Sequence, residues 1–479
     1  MSRARTVPCP LRERARELPE TPAVEGDGVR ITYRELDRLV SAAAQALEGR
    51  GLGDGSRVAL YLSRGWRYVV LLLGVMRAGG VACPVSTRLP LPGVRDALRR
   101  AGCGAVISDD AGLLRGLEDV VRLRPEDLLV ESGAAYAPTP LEVELDRPAT
   151  VVFTSGSTGE PKAALHTYAN HYFNAAGSNQ NITLAPGDRW MLSLPLYHVG
   201  GISILFKCLL SSGATIALPE EGAPLGREIS RLGVTHASLV STQLLRLLRE
   251  ESPALGGLRA VLLGASAMPP SLISESVRRG IPVHTSYGLT EMASQVTSTP
   301  PGASREELSS SGRVLPHREL SISGEGEILV RGGTLFAGYL KDGGVERPLD
   351  AEGWFHTRDL GHLDERGYLH VSGRMDNRFV SGGENVQPEE IEEILCRMEG
   401  VEQAVVVPVP DEEFGERPVA FVRGVGEPPA QELSRALRET LPGFKVPDAF
   451  YPWPSGLPEG MKVDRGLFRR LARELRAGR

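Results

Sequence analysis

The sequence predicts an α/β fold: a large N-terminal domain of layered α/β subdomains with a small β-rich subdomain, followed by a small α+β C-terminal domain. Apolar strands alternate with helical segments over residues 31–107 and again over 190–263, which is typical of layers around a parallel sheet. Between Glu319 and Gly373 the pattern changes to short strands with frequent Gly and Asp. A further unit with its own strands and helices begins after Arg374, so we predict domains at 1–373 and 374–479.

The individual elements are predicted from local patterns. Thr32 and Glu35 stand at the two positions of a capping box, so a helix is expected to run through Leu47. Residues 1–30 are polar and rich in proline and are predicted to form an edge segment, whereas residues 163–179 are predicted to be helical. The other predicted strands are 57–61, 81–85, 105–107, 150–153, 190–194, 214–218, 236–240, 260–263, 404–407 and 419–422, and the other predicted helices are 68–78, 94–101, 226–232, 242–250, 430–441 and a basic tail helix.

Composition excludes several classes of function. The chain has 479 residues and a net charge of −6, with no basic block suited to nucleic acid. Its five cysteines are scattered and contain no C-x-x-C pair, which argues against a disulfide framework or a zinc site and favours reduced thiols in a cytoplasm. The N-terminus lacks the apolar core of a signal peptide, and the longest apolar stretch, 68–76, is too short to span a bilayer.

A loop rich in glycine and hydroxyl groups follows the predicted strand at 150–153. Its glycines let the backbone N–H groups approach an anion, and its lysine adds a full positive charge. A flexible Ser/Gly turn is the ordinary alternative, while a Walker A loop is excluded because Pro161 stands where the second glycine should be. The loop therefore predicts polyphosphate binding by Thr154, Ser155, Gly156, Ser157, Thr158, Gly159 and Lys162.

Two further stretches could complete a nucleotide site. Small residues after the strand at 260–263 would let a flat base approach the backbone, and Tyr287 can cover one face of an adenine. Thr290 can bond an α-phosphate, and Glu291 can hold Mg²⁺, a hard cation that prefers oxygen ligands. The ordinary alternatives are a strand–helix turn and a hydrogen-bonded turn that carries a surface glutamate. The cofactor-binding candidates here are Gly264, Ala265, Ser286, Tyr287 and Gly288.

The phosphate loop closely resembles the signature loop of the adenylate-forming superfamily, which contains acyl-CoA synthetases, luciferases and peptide-synthetase adenylation domains. Seven motifs in the order typical of that superfamily, from about residue 150 to residue 465, extend the resemblance over essentially the whole chain. The resemblance implies ATP and Mg²⁺ as cofactors and CoA as a co-substrate. It also implies a two-step reaction in which a carboxylate attacks the α-phosphorus of ATP and CoA then displaces AMP.

The same resemblance implies roles for residues in the last third of the chain. Asp359 would bind the ribose hydroxyls, although Arg358 stands where the family usually has glycine, and Arg374 would bond the ribose as well. Asp376 would be the hinge of a mobile C-terminal domain. The turn with Gly382 and Gly383 would line the pantetheine tunnel, and Lys462 would be the catalytic lysine, preceded by Met461 instead of the usual glycine. The ordinary alternatives are solvated turn charges and a surface lysine.

A narrower resemblance points to the o-succinylbenzoate–CoA ligases of menaquinone biosynthesis, through residues 162–171, 195–201, 292–295 and 381–385. It implies small-molecule partners, an acyl pocket walled by His198 and polar groups for the second carboxylate of the acid. A buried core histidine is the ordinary alternative for His198. The substrate-binding candidates are Tyr197, His198, Gly200, Ser294, Gln295 and Thr297.

Two rival functions stay open at this point. One is another acyl- or aryl-CoA ligase, and the other is a carrier-protein loading enzyme or a non-catalytic nucleotide-binding homologue. The 197–201 stretch offers no acidic residue to meet an amino acid's amine, and both Glu291 and Lys462 are present, which favours a catalytic CoA ligase. The sequence leaves the oligomeric state open, with a homodimer as one option.

Overall fold

The computed structural model describes residues 5–129, 142–154, 161–250, 253–264, 268–341, 344–424, 429–455 and 464–477. Its helices are α1 Pro10–Glu17, α2 Tyr33–Glu48, α3 Trp66–Arg77, α4 Leu91–Ala101, α5 Ala111–Arg115, α6 Tyr168–Asn181, α7 Val199–Leu209, α8 Leu225–Arg231, α9 Ser241–Arg249, α10 Pro270–Arg278, α11 Pro388–Cys396, α12 Ala430–Arg438 and α13 Arg465–Ala477.

The strands of the first half are β1 Thr6–Pro8, β2 Pro22–Gly26, β3 Val29–Thr32, β4 Arg57–Tyr61, β5 Val81–Pro84, β6 Ala105–Ser108, β7 Val121–Leu123, β8 Glu142–Glu144, β9 Pro148–Thr154, β10 Lys162–Thr167, β11 Arg189–Met191, β12 Thr215–Leu218 and β13 His236–Leu239. The strands of the second half are β14 Ala260–Leu263, β15 Val283–Leu289, β16 Ser294–Ser298, β17 Arg313–Val314, β18 Arg318–Ile322, β19 Glu327–Gly332, β20 Gly338–Lys341, β21 Gly344–Glu346, β22 Phe355–Leu363, β23 Leu369–Arg374, β24 Phe379–Ser381, β25 Glu384–Val386, β26 Val401–Asp411, β27 Gly415–Gly424 and β28 Phe450–Pro452.

Two large sheets form the body of the chain. The first has the strand order β21-β20-β10-β9-β5-β4-β6-β7, and the second has the order β17-β16-β15-β14-β13-β11-β12-β2-β3. The central strands of each sheet run parallel, as the alternating pattern predicts, and antiparallel strands lie at the edges. Apolar side chains of both sheets and of α2, α3, α6 and α7 share one core, so these helices lie between the sheets as a common layer.

The predicted β-rich subdomain is the four-stranded sheet β18-β19-β22-β23. Its apolar face packs with Tyr287, Met292 and Val296 of the second sheet. The strands β20 and β21 lie within the predicted stretch but pair with β10 in the first sheet. The β-rich stretch is therefore divided between two sheets.

The residues after Asn377 form a separate sheet, β25-β24-β27-β26, with β28 paired to β27. Helices α11 and α12 cover one face of this sheet, and α13 covers the other. The predicted α+β arrangement of this unit is confirmed. No helix in the described part of the chain is long and apolar enough to cross a lipid bilayer.

Most local predictions are confirmed, including the capping box of α2, in which the Thr32 N–H donates to Glu35 Oε2 at 2.8 Å. One is wrong. Residues 162–167 form strand β10 because pairing with β9 and β20 outweighs the helical preference of their alanines and leucine, and the helix begins only at Tyr168. The N-terminal segment lies at the edge of the second sheet, as predicted: β2 pairs in parallel with β12, and β3 is the outermost strand.

Candidate active site

The two ends of the predicted phosphate loop are held together by a hairpin. Strands β9 and β10 pair antiparallel, with Thr154 opposite Lys162, so the loop between them begins and ends at neighbouring positions. Thr154 is half-buried and Lys162 is exposed. The loop candidates Ser155, Gly156, Ser157, Thr158 and Gly159 lie outside the described residues, as do Ala265 and Lys462.

The first sheet holds the backbone of the Thr290–Glu291 turn through two hydrogen bonds. The Nε2 atom of His166 on β10 lies 2.7 Å from the carbonyl oxygen of Thr290, and the N–H of Phe336 donates to the carbonyl of Glu291 at 2.8 Å. Burial lowers the pKa of His166 to about 4, so the imidazole is neutral near pH 7. Because a carbonyl only accepts, Nε2 carries the proton. The turn that carries Glu291 is thus fixed from outside its own sheet.

Tyr339 on β20 contacts both the Glu291 carboxylate and Lys162. Its hydroxyl donates to Glu291 Oε1 at 2.5 Å, and Lys162 Nζ lies 5.0 Å from the centroid of its ring. Burial and the negative charge of Glu291 raise the pKa of Tyr339, so it stays a donor. No local sequence pattern indicates this tyrosine, because it lies 48 residues from Glu291. Its geometry brings a carboxylate and an ammonium to the mouth of the phosphate loop.

The predicted ribose site is formed across β22 and β23. Asp359 stands opposite Arg374, and Arg374 Nη1 lies 3.1 Å from Asp359 Oδ1. The hydroxyl of Tyr287 donates to Asp359 Oδ2 at 2.7 Å. Burial and Asp359 raise the pKa of Tyr287, which keeps its hydroxyl protonated. The structure therefore brings together three residues that the sequence predicted separately.

Small residues open the carboxyl ends of the parallel strands β14 and β15, which is where ligands commonly bind in such sheets. A Cβ on Gly264 would lie 3.0 Å from Ser286 Oγ, which donates to the Leu263 carbonyl at 2.8 Å. A Cβ on Gly288 would lie 2.1 Å from the carbonyl oxygen of Ser294. Gly288 is therefore required for the close approach of β15 and β16.

The predicted hinge residue, Asp376, is held by two arginines. Arg358 Nη2 lies 2.9 Å from Asp376 Oδ1, and Arg374 Nη2 lies 3.4 Å from Asp376 Oδ2. Arg358 has a φ of 63°, the left-handed conformation that glycine adopts easily, which agrees with a position that is usually glycine in the superfamily.

The predicted tunnel turn also depends on its glycines. Gly382 and Gly383 have φ values of 59° and 86°. A Cβ on Gly382 would lie 2.8 Å from the Phe414 ring, whereas a Cβ on Gly383 would meet nothing within 4 Å. Gly383 is therefore needed for its backbone conformation and not for space.

The first residues of the predicted acyl pocket lie at the N-terminus of α7. His198 is the residue before the helix, and its exposed ring lies 4.7 Å from that of Tyr197, so a buried core histidine is ruled out. A Cβ on Gly200 would lie 2.9 Å from Leu194 Cδ1. Ser294 has a φ of 136°, which places a strained residue at the start of β16, close after Glu291 in the chain. Thr297 is fully buried and its hydroxyl donates to the Ser311 carbonyl, so this candidate ties β16 to the segment before β17.

Gln295 belongs to a buried polar cluster that sequence reasoning missed. Lys207 Nζ on α7 donates to Gln295 Oε1 at 2.8 Å, and Ser178 Oγ on α6 donates to the same oxygen at 2.9 Å. Burial lowers the pKa of Lys207 to about 7. The available signal is a lysine inside the otherwise apolar run 204–209 of α7, where a charged residue needs a partner.

Arg318 at the start of β18 is a second buried cation near this cluster. It is 6% exposed, and its Nη1 and Nη2 atoms donate to the carbonyls of Pro316 and Asn174. Burial lowers the pKa of Arg318 to about 9. Within the described ranges, neither Lys207 nor Arg318 forms an ion pair with a carboxylate, so the cluster is cationic.

The chain is similar to known proteins over most of its length. Residues 11–340 match the AMP-binding enzyme family, and residues 390–459 match the AMP-binding enzyme C-terminal domain. The 2-succinylbenzoate–CoA ligase of Bacillus licheniformis is 34% identical over 455 residues, which cover 92% of this chain and 95% of that protein.

Two solved structures of the o-succinylbenzoate coenzyme A synthetase of Bacillus subtilis, each 30% identical, differ in their fit to this chain. The complex with ATP and magnesium gives a TM-score of 0.87, covering 96% of this chain and 99% of that one. A double mutant bound to the product analogue OSB-NCoA gives 0.73, covering 97% and 99%. Because identity and coverage hardly differ, the overall structure of this chain is nearer to that of the ATP complex.

Replacing Tyr339 with phenylalanine keeps the ring beside Lys162 and removes the hydroxyl that holds Glu291. We expect the affinity for Mg·ATP to fall about tenfold, because a hydrogen bond to a charged group contributes about 1.5 kcal/mol or more. Isothermal titration calorimetry of Mg·ATP binding measures this, with Tyr172→Phe on α6 as the matched control. An unchanged affinity in Tyr339→Phe would remove this hydroxyl from the site.

Proposed function

This chain belongs to the AMP-binding enzyme family, and on that basis we propose that it is a 2-succinylbenzoate–CoA ligase of menaquinone biosynthesis. The reaction joins the acid to CoA at the expense of ATP, giving acyl-CoA, AMP and diphosphate. The names of its relatives support the acid and the thiol. The structural observation that carries the choice of acid is the buried cation Lys207 behind Gln295.

Gln295 is oriented to donate to an anion. Lys207 has only donors, so the atom of Gln295 that it contacts at 2.8 Å must be the amide oxygen. The amide nitrogen, Nε2, is buried and has no hydrogen-bond partner within the described residues. A buried donor without a partner costs about 1–3 kcal/mol. We propose that the second carboxylate of the acid accepts this hydrogen bond.

The charge of the cluster supports an acid with two carboxylates. Lys207 is 0% exposed, and its Nζ lies 4.6 Å from the Trp190 ring centroid. Burying a cation is costly unless an anion pairs with it. A second carboxylate would neutralise Lys207 through Gln295, with Arg318 adding to the positive potential. A fatty acid or an acid with one carboxylate would leave this charge uncompensated.

We assign the nucleotide to the residues that line the junction of the two sheets. Lys162 and Thr154 would meet the phosphates, Thr290 the α-phosphate, and Asp359 and Arg374 the ribose, while Gly264, Ser286, Tyr287 and Gly288 would surround the base. Mg²⁺ is usually held by one or two carboxylates together with substrate phosphates, so the single Glu291 carboxylate beside Lys162 fits an ion that arrives with ATP. The ion supplies charge neutralisation for the attack of one anion on another.

The proposed reaction depends on positioning and on positive charge. His198 and Tyr197 would wall the acyl pocket, and Gly200 and Ser294 would shape it. The reacting carboxylate attacks the α-phosphorus and diphosphate leaves, and Lys462 would stabilise the developing negative charge. In the second step the CoA thiolate, reaching the site along Gly382 and Gly383, attacks the acyl carbon and AMP leaves.

We propose a boundary between domains at 373/374, with Asp376 as the hinge. The separate cores of the C-terminal sheet support this division. Lys462 and Gly383 both follow the hinge but serve different steps, so the domain would have to rotate between them. We also propose that the enzyme is cytoplasmic, which its five free cysteines support. We propose that it is a homodimer, which light scattering would test.

The choice of acid is tested by comparing 2-succinylbenzoate with two analogues, each of which lacks one of the two carboxylates. The analogue without the reacting carboxylate should not be adenylated at all. For the analogue that keeps only the reacting carboxylate, we expect kcat/KM to be about a hundredfold below that of 2-succinylbenzoate, since a charge-assisted hydrogen bond contributes about 1.5–3 kcal/mol. Lys207→Met should remove most of this preference, whereas Lys207→Arg should keep it. A higher kcat/KM for a fatty acid or plain benzoate would contradict this choice of acid, and only the general assignment as an acyl-CoA ligase would stand. A requirement for a carrier protein in place of CoA would favour a loading enzyme.

The pH dependence follows from Lys207. Because burial lowers its pKa to about 7, Lys207 is cationic below that pH and becomes neutral above it. The second carboxylate is ionised throughout, so we expect kcat/KM for 2-succinylbenzoate to fall as the pH rises above about 7. Diphosphate release without CoA is the suitable assay, since it avoids ionisation of the thiol. Lys207→Arg stays charged and should lose this decline; a decline that persists in that variant would assign it to another group.

The two-step assignment predicts opposite defects in two variants. Lys462→Ala should abolish diphosphate release but still let CoA react with supplied acyl-adenylate. Gly383→Leu should do the reverse, because leucine does not tolerate a φ of 86° at the tunnel turn. Each half-reaction is measured separately for both variants, with Gly367→Leu in an open turn at φ 78° as the control. Equal damage to both steps by Lys462→Ala would contradict the assignment.

A further inference from the structure

Arg358 combines an unfavourable backbone conformation with a contact to the hinge. Its φ of 63° lies in the left-handed region, which residues other than glycine rarely adopt. The surroundings hold it there: its N–H donates to Glu327 Oε1 at 2.9 Å. From this position its side chain reaches Asp376 Oδ1, at 2.9 Å from Nη2 and 3.3 Å from Nε. A strained residue that persists because its neighbours hold it is a candidate for a functional role.

Asp376 is linked to the ribose site through Arg374. One nitrogen of that guanidinium lies 3.1 Å from Asp359 and the other 3.4 Å from Asp376. Arg374 is therefore shared between a residue proposed to bind nucleotide and the proposed hinge. Arg358 makes its own contacts with Asp376, so it holds the hinge whichever way Arg374 turns. Burial raises the pKa of Asp376, but the bonds from Arg358 and Arg374 outweigh it and lower the pKa overall.

We propose that Arg358 is a positioning residue that ties Asp376 to the ribose-binding strand and thereby favours the domain orientation used for adenylation. The inference rests on the proposed function, which makes Asp376 the hinge. Its direction comes from the overall structure of this chain, which is more similar to that of the ATP-bound relative (TM-score 0.87) than to that of the relative with a product analogue (TM-score 0.73). Loss of the contact should therefore slow diphosphate release and spare or speed thioester formation.

The expected effect is modest. The side chains of Arg358 and Asp376 are 55% and 23% exposed, so solvent and salt weaken their attraction. Removal of such a pair should shift the balance between two orientations by about two- to fivefold. The effect should shrink as the salt concentration rises, which a purely structural role of Arg358 would not require.

The decisive experiment compares the two half-reactions in Arg358→Asn, Arg358→Lys, Asp376→Asn and the double variant Arg358→Asn/Asp376→Asn. Asparagine tolerates the left-handed conformation, so Arg358→Asn removes the cation with little added strain. Arg366→Asn is the matched control: its side chain is 45% exposed and pairs with Glu306 at 3.0 Å in the same part of the chain. Diphosphate release and thioester formation from supplied acyl-adenylate are measured at low and high salt.

We expect Arg358→Asn to slow diphosphate release about two- to fivefold, without slowing thioester formation. Arg358→Lys should recover part of the loss, and Arg366→Asn should change neither step. In the Asp376→Asn background the Arg358→Asn substitution should have no further effect, because its partner is already neutral.

Equal effects of Arg358→Asn on both half-reactions, no effect on either, or a full effect in the Asp376→Asn background would overturn the inference. The parent proposal fails by a different result, namely an unchanged rate of diphosphate release in Lys462→Ala. If Lys462→Ala and Gly383→Leu separate the two steps as expected while Arg358→Asn does not, only the role of Arg358 is wrong.

Discussion

The hydrogen bond between His166 and the carbonyl of Thr290 joins the two large sheets where the site forms. His166 belongs to β10 in the first sheet, and Thr290 follows β15 of the second. A single buried hydrogen bond contributes only about 1 kcal/mol, but leaving the carbonyl unpaired would cost about 1–3 kcal/mol, so the two sheets are held in one relative position here. The Phe336 and Tyr339 bonds to Glu291 reinforce it. Together with the apolar core that the two sheets share, these contacts set the position of Glu291, in the turn after β15, relative to Lys162 on β10.

Local physical chemistry made much of this predictable from the sequence. The capping box of α2 and the strands 57–61 and 260–263 depend on residues close together in the chain, and the structure has them at those positions. The Lys207–Gln295 contact spans 88 residues, and no local pattern specifies it. The predicted helix at 163–179 is wrong at its start for the same reason: β10 is a strand because it pairs with β9 and β20, which are distant contacts that no local pattern shows. Motifs predicted which residues belong to the site, but only the fold shows which of them touch.

The basic side chains buried in the interior are of two kinds, neutral histidines and cations. Burial lowers the pKa of His166 and His236 to about 4 and also lowers that of His171, so these rings are uncharged near pH 7 and act as hydrogen-bonding supports. Lys207 and Arg318 differ, because neither is paired with a carboxylate in the described residues. Histidines therefore contribute rigidity without adding charge. Lys207 and Arg318 are therefore the buried groups that could pair with an anionic ligand.

Asp359, the residue proposed to bind ribose, already has partners in this structure. One of its oxygens accepts from Tyr287 and the other pairs with Arg374, so the sugar hydroxyls of a nucleotide bound there would have to share or displace these partners. If ribose takes the Arg374 position, that guanidinium is free to turn fully to Asp376. Nucleotide binding and hinge position would then change each other's free energy by the same amount, as linkage requires. Direct ionic contacts are sufficient for this coupling, because Arg374 contacts both Asp359, the proposed ribose ligand, and Asp376, the proposed hinge.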